Sequence, residues 1–517
     1  MSSVEFLVFA SMVVASVAAP HAAVRPGGAE ASDRRAKDEE AATARENSAD
    51  REATPTAPPL PGEPIDAGGA PPLPGEPIDA GRAPPLPGEP IDAAGGPTGA
   101  TNGPREGETT GRERTEAAQE AAAPAVRDRL AGAARLVGAY LHMPDAPPPF
   151  PTDDDAVFSS ILRAVGNLDL GRYVHTELNI YARFDRVPSG LFLASAFNTG
   201  AAISSVYRYP HAAAEFWRDG TVVGEVAFDR LNGTITAGPV AVTVGRFAVS
   251  HSVTELATVN DFFAPFNTTS LNPMYKPGID GMRTTVALGS LSQIEVLAAL
   301  GYDGDEPAFR NSALFGRASV TLWNIEWALL GGKVAQRYVA GASLQGDVGP
   351  IGLRAEGHVG VPDRDGDGRK DRGEKVHGRV SAGPNVRFDW HALSLSAEYA
   401  FFSDGAKDGA DLIPRASRFF PDDLPYLGKH YVAFGGGMEI TPLVRTAPFA
   451  FVNAGDGSGI AGNVLSLSLG NESDLNLGFY APWGKGVRIV EGAPLPELRS
   501  EFGAAPFVVY LETRAYF

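Results

Sequence analysis

The chain has 517 residues, of which 21% are charged, with 62 acidic against 44 basic side chains and a formal charge of −18. An acidic balance of that size argues against nucleic acid as a partner, because phosphate contact needs a basic surface. The absence of cysteine excludes disulfides, thiolate chemistry, zinc–thiolate sites and a lipidated cysteine anchor, and the 60 glycines and 42 prolines suit turns and a linker better than a helical enzyme.

Residues 6–19 form a short apolar run ending in Ser16-Val17-Ala18-Ala19, the pattern of a secretory signal peptide cleaved after Ala18, so that 1–18 is the leader. No later apolar run is long enough for a helical span, which needs about 18 residues or more. Residues 19–115 are expected to be a disordered, Pro-rich periplasmic linker. Within it the unit Ala57-Pro58-Pro59-Leu60-Pro61-Gly62-Glu63-Pro64-Ile65-Asp66-Ala67 begins again at Ala70 and at Ala83. Its prolines remove backbone donors and favour an extended polyproline II spacer of about 3.1 Å per residue. Such a segment could also dock on peptidoglycan or another envelope protein. Residues 116–150 read as helical, with Leu130, Ala133, Ala134, Leu136, Val137 and Tyr140 near one face, forming a luminal plug or a periplasmic helix.

From 151 to 517 the period changes to two. Near Tyr173 the residues Val174, Thr176, Leu178, Ile180, Ala182 and Phe184 share one face, and His175, Glu177, Asn179, Tyr181 and Arg183 the other. Further segments with this alternation lie at 190–198, 223–236, 240–249, 281–289, 292–301, 313–323, 325–334, 337–346, 351–361, 376–389, 392–403, 429–441, 446–453, 462–470, 474–481 and 506–517. Strand follows strand with no helix between, each with one greasy face and one polar face. That is the pattern of a transmembrane antiparallel up-and-down β-barrel, apolar outside and polar inside. Such barrels close with an even number of strands, so about 16–18 are expected, with 157–162 as a strand the alternation leaves open. Short connections such as Ala237-Gly238-Pro239 belong on the periplasmic side, and the long ones at 250–280, 362–375, 404–428 and 482–505 outside.

The polar faces supply candidate pore-lining residues: His175, Glu177, Arg183, Arg354, Glu356, His358, His377, Arg379, Arg387, Glu398, Glu512 and Arg514. On this assignment Val380→Arg places a cation in lipid and impairs assembly, whereas Arg379→Ala alters conductance with little loss of folding. The loop Asp363-Arg364-Asp365-Gly366-Asp367-Gly368-Arg369-Lys370-Asp371-Arg372-Gly373-Glu374 fits the twelve-position calcium pattern. Side-chain oxygens would come from Asp363, Asp365, Asp367, Asp371 and Glu374, and a carbonyl from Arg369. A structural calcium ion in an external loop is the expectation.

The last strand, Val509-Tyr510-Leu511-Glu512-Thr513-Arg514-Ala515-Tyr516-Phe517, ends in phenylalanine and resembles the assembly signal of bacterial outer-membrane barrels, which implies handling by the barrel assembly machinery. A second likeness spans Val244-Gly245-Arg246-Phe247, Asn260-Asp261-Phe262-Phe263-Ala264-Pro265-Phe266-Asn267 and Pro277-Gly278-Ile279-Asp280-Gly281-Met282-Arg283. This block resembles that of porin-like channels, including alginate-export-type barrels, in which the loop folds inward and narrows the pore. The resemblance implies that Arg246, Asp261, Asp280 and Arg283 stand near a constriction; alternatively Phe262, Phe263 and Phe266 pack the loop onto the rim. The function implied is passive diffusion of small hydrophilic solutes across the outer membrane of a Gram-negative bacterium, surrounded by its lipid. The alternatives are a substrate-specific barrel for an exported polymer, a barrel-type surface hydrolase, and an adhesin or envelope anchor. No catalytic residues are assigned, since His251-Ser252 is the only adjacent pair of that type and no catalytic motif surrounds it.

Overall fold

The structure is a computed structural model and describes residues 130–147, 153–186, 205–265, 275–491 and 496–517. The signal peptide, the Pro-rich linker, the helical expectation for 116–129, the strand expected at 190–198 and Phe266 lie outside the described residues.

Among the described residues, eighteen antiparallel strands close into one barrel. In chain order they are β1 Leu130–His142, β2 Asp155–Leu170, β3 Val174–Arg186, β4 Val222–Ala237, β5 Val240–Phe247 and β6 Ile279–Ala287. The next six are β7 Ser292–Ala299, β8 Ala313–Leu322, β9 Ile325–Val334, β10 Arg337–Val348, β11 Ile351–Pro362 and β12 His377–Arg387. The ring is completed by β13 Ser394–Phe402, β14 His430–Thr441, β15 Val444–Asn453, β16 Ser458–Gly470, β17 Ser473–Trp483 and β18 Phe507–Tyr516. A short strand, Ala213–Asp219, pairs with the upper part of β4 and extends the wall beyond the ring. Closure is made by β1 on β18, in a register running from Ala133 opposite Tyr516 to His142 opposite Phe507.

Two expectations are corrected here. The helical reading of 116–150 fails over Leu130–His142, which is the first barrel strand. Ala133, Arg135, Val137, Ala139 and Leu141 alternate inward along it while Leu130 and Tyr140 face outward, so a period of two fits the burial. The barrel therefore begins at Leu130 rather than 151, and β2 supplies the strand left open near Val157.

Each strand turns one row of large apolar side chains outward; the inward row is polar or small except where loops cover it, and there Phe315, Phe402, Tyr431 and Phe451 are buried. Leu162, Leu314 and Leu329 are 56%, 61% and 70% exposed, and Phe228, Val244, Val380, Phe434, Leu477 and Leu511 continue the belt. An apolar surface running right around the wall far exceeds what a water-soluble monomer exposes, and it suits lipid. Successive connections fall on opposite rims. The turns at 171–173, 238–239, 288–291, 323–324, 349–350, 388–393, 442–443 and 471–472 are short and form one rim. The other rim carries 143–154, 187–221, 248–278, 300–312, 363–376, 403–429 and 484–506, together with the tight turns 335–336 and 454–457. Exposed Tyr173, Trp323, Trp390 and Phe517 mark the short-turn rim, as aromatic residues do at a membrane–water boundary. Trp323 and Asn324 both have positive φ (56° and 62°), the two-residue hairpin geometry whose twist matches the flanking strands.

Candidate functional site: a loop across the lumen

The connection 248–278 leaves the end of β5 and turns into the barrel. Two inward-facing glutamates of the far wall hold it. Glu398 on β13 accepts three consecutive backbone N–H groups, from Glu255 (2.6 Å), Leu256 (2.9 Å) and Ala257 (3.0 Å). Glu356 on β11 accepts the Ser252 hydroxyl (2.7 Å), the Val253 N–H (2.6 Å), the Thr254 hydroxyl (2.9 Å) and the Asn260 N–H (3.1 Å). A carboxylate buried under a loop would be costly alone; here the loop's otherwise unmet donors converge on it and satisfy it. Further ties come from His251 Nε2 to Glu295 on β7 (2.7 Å), His358 Nδ1 to Asn260 (3.1 Å), and the Asn260 side-chain amide to the Ala342 carbonyl on β10 (3.2 Å).

The reach of this loop is the central geometric fact. A Cβ built on Gly435 of β14 would lie 3.6 Å from the Leu256 side chain. In a ring of eighteen strands the fifth and the fourteenth are diametrically opposed, so the loop spans the full lumen. It then returns: the Arg163 guanidinium on β2 lies 4.3 Å from the centre of the Tyr275 ring, and Lys276 pairs with Asp261. Phe262 and Phe263 seal it apically against Tyr207, Phe247, Phe315 and Val339. The inward fold and the aromatic packing, alternatives at the level of sequence, are both present.

The expected constriction charges sort as follows. Asp261 is buried against Lys276, and burial, the dominant effect, raises its pKa despite that cation. Arg246 binds Asp280 in a two-pronged contact at 2.6 and 2.7 Å. Arg283 is half-buried and stands 5.1 Å from the Phe247 ring centre. Of the wall residues, Glu177 meets Arg230 at 3.0 Å, Arg183 meets Asp185 (2.8 Å) and Glu225 (3.0 Å), Arg354 pairs with Glu255 of the loop, and Glu512 is shared by Arg135 and Arg514. His175 is exposed beside Asp169 at the short-turn rim, where Arg387 is also exposed. Glu356, His358, His377, Arg379 and Glu398 face inward but lie buried beneath inward-folded loops, His377 stacked on Phe420.

The mouth holds residues that the sequence did not single out. Segment 403–429 lies over β10–β14, its Asp423 bound by Arg337 (3.3 Å) and Arg379, and its Asp404 by Arg379 (2.8 Å) and Arg415 (2.9 Å). Burial alone would raise both acids; the guanidinium groups outweigh it, holding Asp404 at about 2 and Asp423 well below the usual carboxyl range. The available signal was the run Phe419-Phe420-Pro421-Asp422-Asp423-Leu424-Pro425-Tyr426, too aromatic for a solvated loop.

In the loop after β11, oxygens of Asp363, Asp365 and Asp371 all lie within 4.8 Å of one another. Gly368 N–H donates to the Asp363 carboxylate at 3.3 Å, and the positive φ of Gly366 (79°) and Gly368 (82°) makes the sharp turn. Asp367 accepts from the Arg369 N–H (2.7 Å), and Glu374 is turned toward Arg364, 3.5 Å away. Three of the six expected ligands thus converge.

No family model matches the chain, and no curated protein matches its sequence. Among solved structures it is similar to OccD3 (OpdP) of Pseudomonas aeruginosa, with 10% identity, 75% of this chain and 91% of that chain covered, and a TM-score of 0.44. It is likewise similar to OccK2 (OpdF) of the same organism, solved in complex with glucuronate, at 11% identity, 75% and 97% coverage, and a TM-score of 0.46. OccAB3 of Acinetobacter baumannii is similar at 12% identity, 75% and 98% coverage, and a TM-score of 0.44.

Proposed function

We propose that the chain is a porin-like channel of the outer membrane that passes small hydrophilic solutes by passive diffusion. The observation that carries this reading is the loop 248–278, which crosses from β5 to the opposite wall of a barrel with an apolar exterior and a charged interior. A loop fixed there sets the width of the passage. The half-buried charges beside it, including Glu177, Arg183, Arg283, Arg354 and Arg514, supply both signs, so width rather than charge is the main filter. The short-turn rim faces the periplasm, which puts both ends of the barrel domain there, and the chain reaches the membrane as an exported protein.

The test is single-channel conductance of the refolded full-length protein in planar bilayers, beside Glu398→Ala. That change removes the acceptor of three loop N–H groups and lets the loop swing from β13, so a larger conductance step and passage of bulkier sugars are expected. A correctly folded barrel that carries no current would end this reading.

The loop 363–374 is proposed to bind a structural calcium ion through Asp363, Asp365 and Asp371, with Glu374 joining on release from Arg364. Calcium takes six to eight oxygens, so water completes the shell. Isothermal titration should show calcium binding that Asp365→Ala abolishes; an identical trace for both proteins would refute it.

A further inference from the structure

Segment 403–429 is the hub of the long-loop rim. Apart from the arginine contacts of Asp404 and Asp423 and of Arg364 with the Arg418 carbonyl, it is joined to three other loops by two buried carboxylates whose hydrogen-bond donors are neutral. Asp422 accepts from the Ser205 hydroxyl, the Val206 N–H (3.3 Å) and the Ala264 N–H (3.2 Å), so one side chain ties the hub to both 187–221 and 248–278. Glu501 of 484–506 accepts from the hub's Leu427 N–H (2.9 Å) and Gly428 N–H (3.3 Å), and from the Tyr431 hydroxyl (2.6 Å) and the Asn453 amide (2.8 Å) of the wall. Beneath the hub, Leu424 and Tyr426 pack with Phe402, Tyr431, Phe451 and Phe502.

We propose that 403–429 is a lid over the barrel mouth that moves as a unit, and that Asp422 and Glu501 form its proton switch, with acid favouring the closed lid. The proposal rests on the channel reading above.

The sign follows from where the carboxyl groups sit. In the closed lid burial is the larger effect and hydrogen bonding offsets only part of it, which pushes Asp422 up to about 6 and Glu501 up to about 7. In an open lid both meet water and titrate near the ordinary carboxyl range, about 4. The closed state therefore binds more protons. Its advantage is complete below the ordinary range and is lost as pH rises through about 6 to about 7. The titratable groups facing Asp422 are Lys276 from 248–278 and Tyr207 from 187–221. Those facing Glu501 are Asp456 from the turn 454–457 and Tyr431 from β14, the Asp456 carboxylate accepting the Glu501 N–H at 2.8 Å. The backbone of Asp422 is left-handed (φ 53°), a conformation asparagine adopts readily, so Asp422→Asn keeps the fold of the hub.

The experiment measures open probability of the full-length protein in planar bilayers at about pH 5 and about pH 8. A severalfold rise is expected for the wild type. The double variant Asp422→Asn with Glu501→Gln, fixed in the neutral form, should stay at the low value throughout. The second readout does not depend on current. The chain has no cysteine, so Leu424→Cys places a single thiol under the lid. Maleimide labelling, compared at one pH to hold thiolate content constant, should run several-fold slower in the double-amide background than in the wild-type background. An open probability that is flat or falls from pH 5 to 8, or equal labelling rates, would overturn the lid. A barrel silent at every pH would instead overturn the channel reading, while the labelling comparison would still decide the lid.

Discussion

Arg379 and Val380 are neighbours in sequence and point to opposite sides of the barrel wall. Val380 is 50% exposed on the lipid face, and an arginine there costs roughly 2–4 kcal/mol at the membrane midplane and less toward either rim. Val380→Arg should therefore lower the yield of heat-modifiable, folded barrel in detergent or vesicles, and a yield equal to the wild type would refute the lipid-face assignment. Arg379 is 1% exposed and bound to Asp404 and Asp423. The mild outcome expected from sequence for Arg379→Ala does not fit that placement, because truncation takes one of the arginine partners from each of Asp404 and Asp423. Breaking a buried pair typically costs roughly 3–5 kcal/mol. The loss should fall on the lid rather than on the barrel wall: protease cleavage within 403–429 should accelerate while the heat-modifiable band persists. The inward direction of Arg379 was legible from alternation, as was that of Glu356 and Glu398. Their burial was not, because the groups that cover them belong to loops 25 to 143 residues away.

At the scale of the element, β1 differs from the strands whose period is plain in the sequence. Leu130–His142 is rich in alanine and glycine, residues too small to distinguish a period of two from one of 3.6. Its one decisive side chain is Arg135, whose partner Glu512 lies on the last strand. Strands with large apolar residues, such as β3 and β11, declared their period plainly, and the alternation of short and long connections fixed the up-and-down order. The consequence is experimental. A fragment of residues 150–517 lacks β1 and cannot pair β18, whereas 116–517 can close. The longer fragment should give a heat-modifiable band and discrete channels and the shorter one neither; equal behaviour would remove β1 from the barrel. Closure also has a tight point, since a Cβ on Gly132 would sit 2.1 Å from the Phe517 ring. Gly132→Val should slow folding into vesicles, and Phe517→Ala should relieve the defect in the double variant.

For the molecule as a whole, two kinds of carboxylate hold one lid, and they respond to acid in opposite directions. Asp422 and Glu501 are raised by burial, so their contribution to the closed state is complete in acid and fades as pH climbs through about 6 to 7. Asp404, held at about 2, and Asp423, held well below the usual range, are lowered by arginine, so their contribution is complete above the ordinary carboxyl range and fades as pH falls through the lowered values. The closed lid should therefore be most stable between the two windows, at about pH 4 to 5. Open probability scanned from about pH 2 to about pH 8 should pass through a minimum there. Arg415→Gln weakens the hold on Asp404, so it should raise open probability most above the ordinary carboxyl range, where that contribution is complete, and flatten the acid limb. A scan that falls steadily to the lowest pH would mean that the arginine contacts fasten the wall alone and take no part in opening. The pairing could not be read from the chain, where 404–428 looks like an external connection and only its aromatic run signals that it is packed. The charges that turn it into a lid come from β10, β12 and the loop itself, and they meet only once eighteen strands have closed around them.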